Sequence, residues 1–306
     1  MKTRRRLARL AAVLGLWSTG PAIQAQTASG ESTFPFDPWH ARAVALGDAG
    51  VAMVGQEFAT LNPAATIGGR GAELSHRASP IGVRDYELSV GHGSRWATVR
   101  ATIRRRDWGD LAQDLGVEGL TAGEQSLAVT VADRAGLGPW AWGLSVARLE
   151  ADYLGTRTGT WATDLGVQLT VNRGLTLGAA LLHAGRGFPS GMGVTPLPTR
   201  FLSGAAWERS IGRLDVVAAG DVAVPIRARA PPDLHAGAEI RHTTGAVTVG
   251  MRAGYRSLAN RDGSGSSERM WTVGGGLRVR PIQMDVAYSL NRLFGSERLL
   301  SLSIAW

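Results

Sequence analysis

Residues 282–291 alternate strictly, with Ile282, Met284, Val286, Tyr288 and Leu290 on one face and Gln283, Asp285, Ala287, Ser289 and Asn291 on the other. A period of two is the mark of a strand with unlike faces. The preceding segment repeats it, setting Trp271, Val273, Leu277 and Val279 against Thr272, Gly274, Gly276, Arg278 and Arg280. So does the one before, with Val247, Val249, Met251 and Tyr255 against Thr248, Gly250, Arg252 and Arg256. Such segments begin near Gly71, and counting them gives fourteen, each of roughly 8 to 12 residues, the length that crosses a bilayer as a tilted strand. The pattern predicts an all-β fold, a 14-stranded antiparallel transmembrane β-barrel.

The connections support this reading. GHGSR, RAGLGP, VNRG, ERSIGR, HTTG and RP are short and interleave with longer links, RRDWGDLAQDLGVEGL, HAGRGFPSGMGVTPLP and SLANRDGSGSSER. Membrane barrels place short turns on the periplasmic side and long loops outside. A soluble β-sandwich shares the period-two strands. It requires a polar outer face, whereas here the polar face carries Arg, Asp, Glu and His while the other is apolar.

Ahead of the strands the chain has two further parts. MKTRRRLARL is basic, LAAVLGLW is a short apolar run, and PAIQA ends in small residues, which reads as a signal peptide over 1–25 cleaved after Ala25. Lys2, Arg4, Arg5, Arg6 and Arg9 account for five of the formal +8 and no acid accompanies them, so the remainder is close to +3. The basic balance is therefore no argument for a nucleic-acid partner. Residues 26–68 form a separate segment rich in Gly and Ala, including ARAVALGDAGVAMVGQEFATLNPAA at 41–65. Residues 69–306 form the barrel.

Composition and motifs narrow the chemistry. The 306 residues include 41 Gly, 10 Trp and no Cys, which excludes disulfides, a lipidated cysteine and thiolate metal sites. The six His residues show no paired ligand spacing, so no metal and no cofactor is expected. GFPSG at 187–191 lacks the G-x-S-x-G spacing, and DGSGSSE at 262–268 lacks the ligands of a calcium loop. No catalytic set is legible, and the chain is expected not to be an enzyme.

Two features of the strands suggest roles. Trp96, Trp140, Trp142, Trp161, Trp207 and Trp271 fall near strand ends, where amphipathic rings sit at lipid headgroups. The polar faces carry His235, Glu239, Arg241, Arg252, Arg256, Arg278, Arg280 and Asp285. Inside a barrel such charges must pair, and His235, Glu239, Arg252, Arg278 and Asp285 are expected to form a lumen charge network. The network reads either as packing that holds the lumen closed or as a polar conduit or docking wall.

The order of these motifs resembles the PorV/PorQ family of outer-membrane barrels, which is similar in architecture to FadL-type transporters. The resemblance rests on Arg42, Ala43, Gly47 and Ala49, then Asn62, Pro63 and Ala64, and further on LHAGAE, RAGYR and DVAY. Ala45, Glu57 and NPAA depart from the usual pattern. The chain ends RLLSLSIAW, and a terminal aromatic, Trp306, on an amphipathic last strand is similar to the insertion signal read by the barrel assembly machinery. The resemblance implies that the N-terminal segment folds inward as a hatch, with Arg42, Gly47, Asp48, Asn62 and Pro63 its marked residues. Their small neighbours allow close packing, Arg42 and Asp48 can pair with wall charges, and Pro63 is expected to stop a helix and turn the chain toward the first strand.

The resemblance also implies a bacterial outer-membrane location and a non-enzymatic role in protein export or surface display, with secretion-system proteins or exported cargo as partners. The alternative is a FadL-like transporter of hydrophobic small molecules such as long-chain fatty acids. Outer-membrane lipids and the assembly machinery are partners under both.

Overall fold

The computed structural model describes residues 38–80, 82–108, 122–134, 138–153, 156–190, 193–227, 231–259, 267–291 and 295–306. Ala25, the start of the N-terminal segment, most of the link after Trp108 and most of the 262–268 loop lie outside them.

The wall opens with β1 (Gly71–Ala78), β2 (Arg84–Gly93), β3 (Thr98–Asp107), β4 (Ala122–Arg134), β5 (Trp140–Tyr153), β6 (Thr156–Thr170) and β7 (Leu175–Gly185). A small hairpin, β8 (Phe188–Ser190) and β9 (Gly193–Thr195), forms a separate sheet. The wall resumes with β10 (Arg200–Ile211), β11 (Leu214–Pro225), β12 (Asp233–Thr244), β13 (Val247–Ala259), β14 (Ser267–Val279), β15 (Ile282–Asn291) and β16 (Gly295–Ala305). These fourteen strands pair antiparallel in chain order, and β1 against β16 closes the ring with Gly71 opposite Ala305. Closure leaves no strand edge with unsatisfied backbone groups, which hydrocarbon demands.

The alternation sets the two faces. On β2, Asp85, Glu87 and Ser89 are buried inside while Tyr86, Leu88 and Val90 are exposed outside. The arrangement inverts that of a water-soluble protein, and an apolar band all round the outside fits lipid. Trp96, Trp140, Trp207 and Trp306 face outward at one end, and Trp161 and Trp271 at the other, with Trp271 and Trp306 62% and 61% exposed. Amphipathic rings at both levels mark the two interfaces of a bilayer.

Short turns do gather at one end. β10 and β11 are joined by 212–213, β12 and β13 by 245–246, and β14 and β15 by 280–281. At the other end the expected alternation in length is not uniform. β5 ends at Tyr153 and β6 resumes at Thr156, so 14- and 15-residue strands extend that end in place of a long loop.

Residues 38–70 run inside the ring. A short helix, α1 (Ala41–Ala45), is capped by His40, whose Nδ1 accepts from the Arg42 backbone N–H at 3.1 Å. It ends where Gly47 and Asp48 take φ of 66° and 65°. Pro63 does not end a helix as expected. It opens a 3-10 turn, Pro63–Thr66, at the first position, where its missing N–H is harmless, with Asn62 as cap. The segment continues to Arg70, two residues past the boundary at 68, before β1 begins.

Candidate functional site

Two unlike inner surfaces meet the segment. Over β7, β10 and β11 the inner wall carries an apolar strip beside the buried His183, Arg200 and Asp221: Ala180, Leu182, Leu202, Ala206, Val217 and Ala223 form one cluster with Leu46, Val51, Met53, Phe58 and Leu61. A water-filled channel would carry polar side chains there. The segment covers this apolar strip completely, leaving Leu46, Phe58, Leu182 and Leu202 without solvent contact.

Over β12, β13 and β15 the inner wall carries paired charges. Arg42 donates from Nε to Glu239 Oε1 at 3.3 Å and from Nη2 to Oε2 at 2.6 Å, and also pairs with Glu57. Glu239 lies opposite Arg252 in the β12–β13 register and accepts from its Nε at 2.6 Å. Arg252 in turn donates from Nη1 to Asp285 at 2.7 Å. Asp48 pairs with Arg256 at 2.6 Å. Burial works against charge on Arg42, but Glu57 and Glu239 outweigh it and hold the guanidinium above its ordinary value. Burial likewise pushes the Glu57 carboxyl up, and Arg42 outweighs that to hold it below its usual range.

Two of the expected network members stand apart. His235 is buried opposite Arg256 and Asp221, and neither ring nitrogen has a hydrogen-bond partner among the described residues. Arg278 lies at the short-turn mouth, where its Nε donates to Gln283 Oε1 at 2.6 Å. Among the described residues it is linked by hydrogen bonds to the network through Gln283, whose Nε2 donates to Asp285 Oδ2 at 2.6 Å.

Backbone anchors complete the seating. Asp221 Oδ2 accepts from the N–H groups of Gly50 and Val51 at 2.6 and 2.8 Å. Asn62 Nδ2 donates to Val51 O at 2.7 Å and to Val167 O at 3.1 Å, while its Oδ1 accepts from Ala64 N at 3.0 Å. Gln168 Nε2 reaches Met53 O at 2.8 Å. Each bond satisfies a buried backbone group that would otherwise be costly.

Asp221, Gln168 and the pairing role of Glu57 were not legible as site residues, and neither were the wall glycines. Gly237 and Gly254 face each other across β12 and β13. The Leu46–Gly47 backbone lies directly on that pair, where an added Cβ would collide with it. Gly143 and Gly166 receive Pro63 and Asn62 in the same way. Their signal was present in the sequence as glycine at the inward position of otherwise regular alternation.

At the loop end, Trp39 lies under three guanidiniums, those of Arg77, Arg104 and Arg106, 5.6 to 5.8 Å from the ring centroid. Leu197 and Phe188, from the chain between β7 and β10, belong to the same apolar cluster as this tryptophan. Two cavities open at the short-turn end. One, about 280 Å³, is lined by Arg42, Glu239, Arg241, Arg252, Arg278 and Asp285 among others. The second, about 510 Å³, runs between the segment and the β1, β15 and β16 rim. No group of His, Asp and Glu among the described residues is arranged to hold a metal ion.

No protein-family model matches the sequence, and no curated protein matches it by sequence. Solved structures do match by fold. The CymD monoaromatic hydrocarbon channel superposes with a TM-score of 0.61 at 12% identity, over 87% of this chain and 97% of its own. The Pseudomonas putida toluene transporter TodX gives 0.54 at 14% identity, over 92% and 98%. A Pseudomonas aeruginosa FadL homologue gives 0.52 at 11% identity, over 92% and 99%. The chain thus has the fold of the FadL-like fourteen-stranded outer-membrane barrels, whose solved neighbours are channels and transporters rather than enzymes.

Proposed function

We propose that this chain is a non-enzymatic barrel of the bacterial outer membrane that passes hydrophobic small molecules, with residues 38–70 as its hatch. The observation that carries the reading is the apolar inner strip of β7, β10 and β11 beneath the segment. Displacing the segment would expose an apolar path through the wall's interior, which a channel for ions or sugars has no use for. Fold alone does not assign function, but the neighbours described as hydrocarbon and toluene carriers agree with such a path. Arg42, Gly47, Asp48, Asn62 and Pro63 would then be hatch residues, and Glu239, Arg252 and Asp285 the wall side of its lock.

The experiment is uptake of labelled toluene and of a long-chain fatty acid by a deletion strain and its complement. Slower uptake of at least one, restored by the gene, is expected. Equal uptake of both in the two strains would remove the proposal.

A second reading, of PorV/PorQ type, has the barrel assist export or surface display of proteins. What favours it is that the two cavities at the short-turn end are charged or lie at the rim, and the apolar strip is covered. Its test is the surface and secreted proteome of the same deletion strain, where loss of a defined set of proteins is expected.

A further inference from the structure

The larger cavity at the short-turn end joins two environments. On the inner side it is lined by Gln56 and Glu57 of the segment and by Gln283, and at the rim by Ala72, Pro281, Ile304 and Trp306. Ile304 and Trp306 belong to the outward, lipid-facing set of β16 and its end. The cavity therefore passes from the lumen over the rim to the bilayer. In barrels of this kind the short-turn end faces the periplasm.

Its charge is not balanced from within. Glu73 is held by Arg100 at 2.6 Å, and Glu57 is held by Arg42. Three guanidiniums of the lining, Arg70, Arg278 and Arg280, have no carboxylate partner among the described residues. Two of them are pinned by neutral acceptors at Nε: Arg70 on Gly93 O at 2.5 Å and Arg278 on Gln283 Oε1 at 2.6 Å. Fixing Nε fixes the fork and leaves the terminal NH₂ groups to another acceptor, the arrangement suited to a phosphate oxyanion.

From this geometry we infer that the cavity seats the phosphate of an anionic phospholipid from the adjoining leaflet, its head on Arg70, Arg278 and Arg280 and its glycerol and upper chain along Ala72, Pro281, Ile304 and Trp306. The continuity of the cavity with the lipid-facing rim is what favours a lipid over a free anion. Because Gln56 and Glu57 line the same cavity, an occupied site would touch the segment directly. Such a site stands whatever the barrel transports.

The test uses the full chain purified in neutral detergent, with dimyristoyl phosphatidylglycerol or dimyristoyl phosphatidylcholine added and retained lipid counted by native mass spectrometry. One phosphatidylglycerol is expected to stay bound under conditions that strip phosphatidylcholine. Arg278→Gln with Arg280→Gln should weaken that retention by about tenfold or more, since removing one charge-assisted guanidinium–phosphate hydrogen bond costs on the order of one decade in affinity. Arg209→Gln with Arg213→Gln, exposed at the same end but away from the cavity, should leave it unchanged. Arg278→Lys with Arg280→Lys, which keeps the charge and loses the fork, should retain an intermediate share of the binding, and heat-modifiable gel migration checks that every variant is folded.

Equal retention of both lipids would overturn the proposal, as would equal loss from the Arg209 and Arg213 pair. Equal loss from folded Gln and Lys pairs would also overturn it. Displacement of the lipid by an equimolar amount of inorganic phosphate would show a free-phosphate site instead and overturn the lipid assignment.

Discussion

Arg42 and Glu239 lie 197 residues apart in the chain and meet across the lumen through two parallel hydrogen bonds, at 3.3 and 2.6 Å. Glu239 also holds Arg252, opposite it on the neighbouring strand. One carboxylate thus joins the inner segment to two strands of the wall. Both partners of the Arg42 pair are buried, so the pair contributes through geometry and mutual need more than through net energy.

Glu239→Gln should loosen the segment without opening the barrel. The amide leaves Arg42 with Glu57 and Arg252 with Asp285, but removes the charge between them. Breaking one side of a buried ion pair costs about 3–5 kcal/mol. Hydrogen exchange should show lower protection over 41–66, with the strands unchanged. Unaltered protection of that segment would show that the pair is not its lock.

Acid should act on the segment late. Glu57 is held below its ordinary value because Arg42 outweighs the effect of burial. Its contribution is therefore fully present above the unfolded value of about 4.3 and is lost only as pH falls through the lower folded value. Arg42, held above its ordinary value, stays charged throughout. Protection over 41–66 should be flat from neutral pH down to about 5 and fall only below the usual carboxylate range. A loss centred near neutral pH would assign the switch to another group.

Gly254→Ala should expel the segment by steric collision alone. The new methyl would run into the Leu46–Gly47 backbone. Overpacking of this kind costs about 1–3 kcal/mol. Gly275→Ala, one residue past Gly274, is the control, since its methyl meets nothing closer than 3.6 Å. The first should speed proteolysis within 41–66 and the second should not, with heat-modifiable migration retained in both.

For Trp306, 61% exposed after β16, the expected role in assembly can be tested. Removing it should reduce the yield of folded protein in the outer-membrane fraction while leaving the purified, refolded barrel with the same protection over 41–66. Normal yield without Trp306 would discard its role as the insertion signal.

Much of the wall was legible because burial by lipid enforces one rule at every position. Ile282 to Asn291 had to alternate, and the count of fourteen followed from repeating that rule along the chain. The lumen is harder to read, since inward residues answer to partners far away in sequence. Glu239 and Arg252 looked like network members because they are charges on neighbouring strands. Asp221 did not, because its partners are the backbone N–H groups of Gly50 and Val51, which no side-chain pattern marks. His235 shows the converse: inward charge-type residues on adjacent strands need not touch, because register sets their level but not their reach. Gly237 and Gly254 looked like weak strand residues until the segment was seen lying on them.

The described part of the segment connects to the wall's chain only at Arg70 and Gly71, beside Gly68, which takes φ of 70° in open space. None of its residues belongs to the ring of strand pairs that closes the barrel. The seating of the segment and the closure of the ring are consequently set by different contacts, side-chain contacts for the first and backbone pairs for the second. Substitutions at Glu239, Asp221 and Gly254, which meet the segment from the wall, can therefore change its seating while the backbone pairs that close the ring stay as they are.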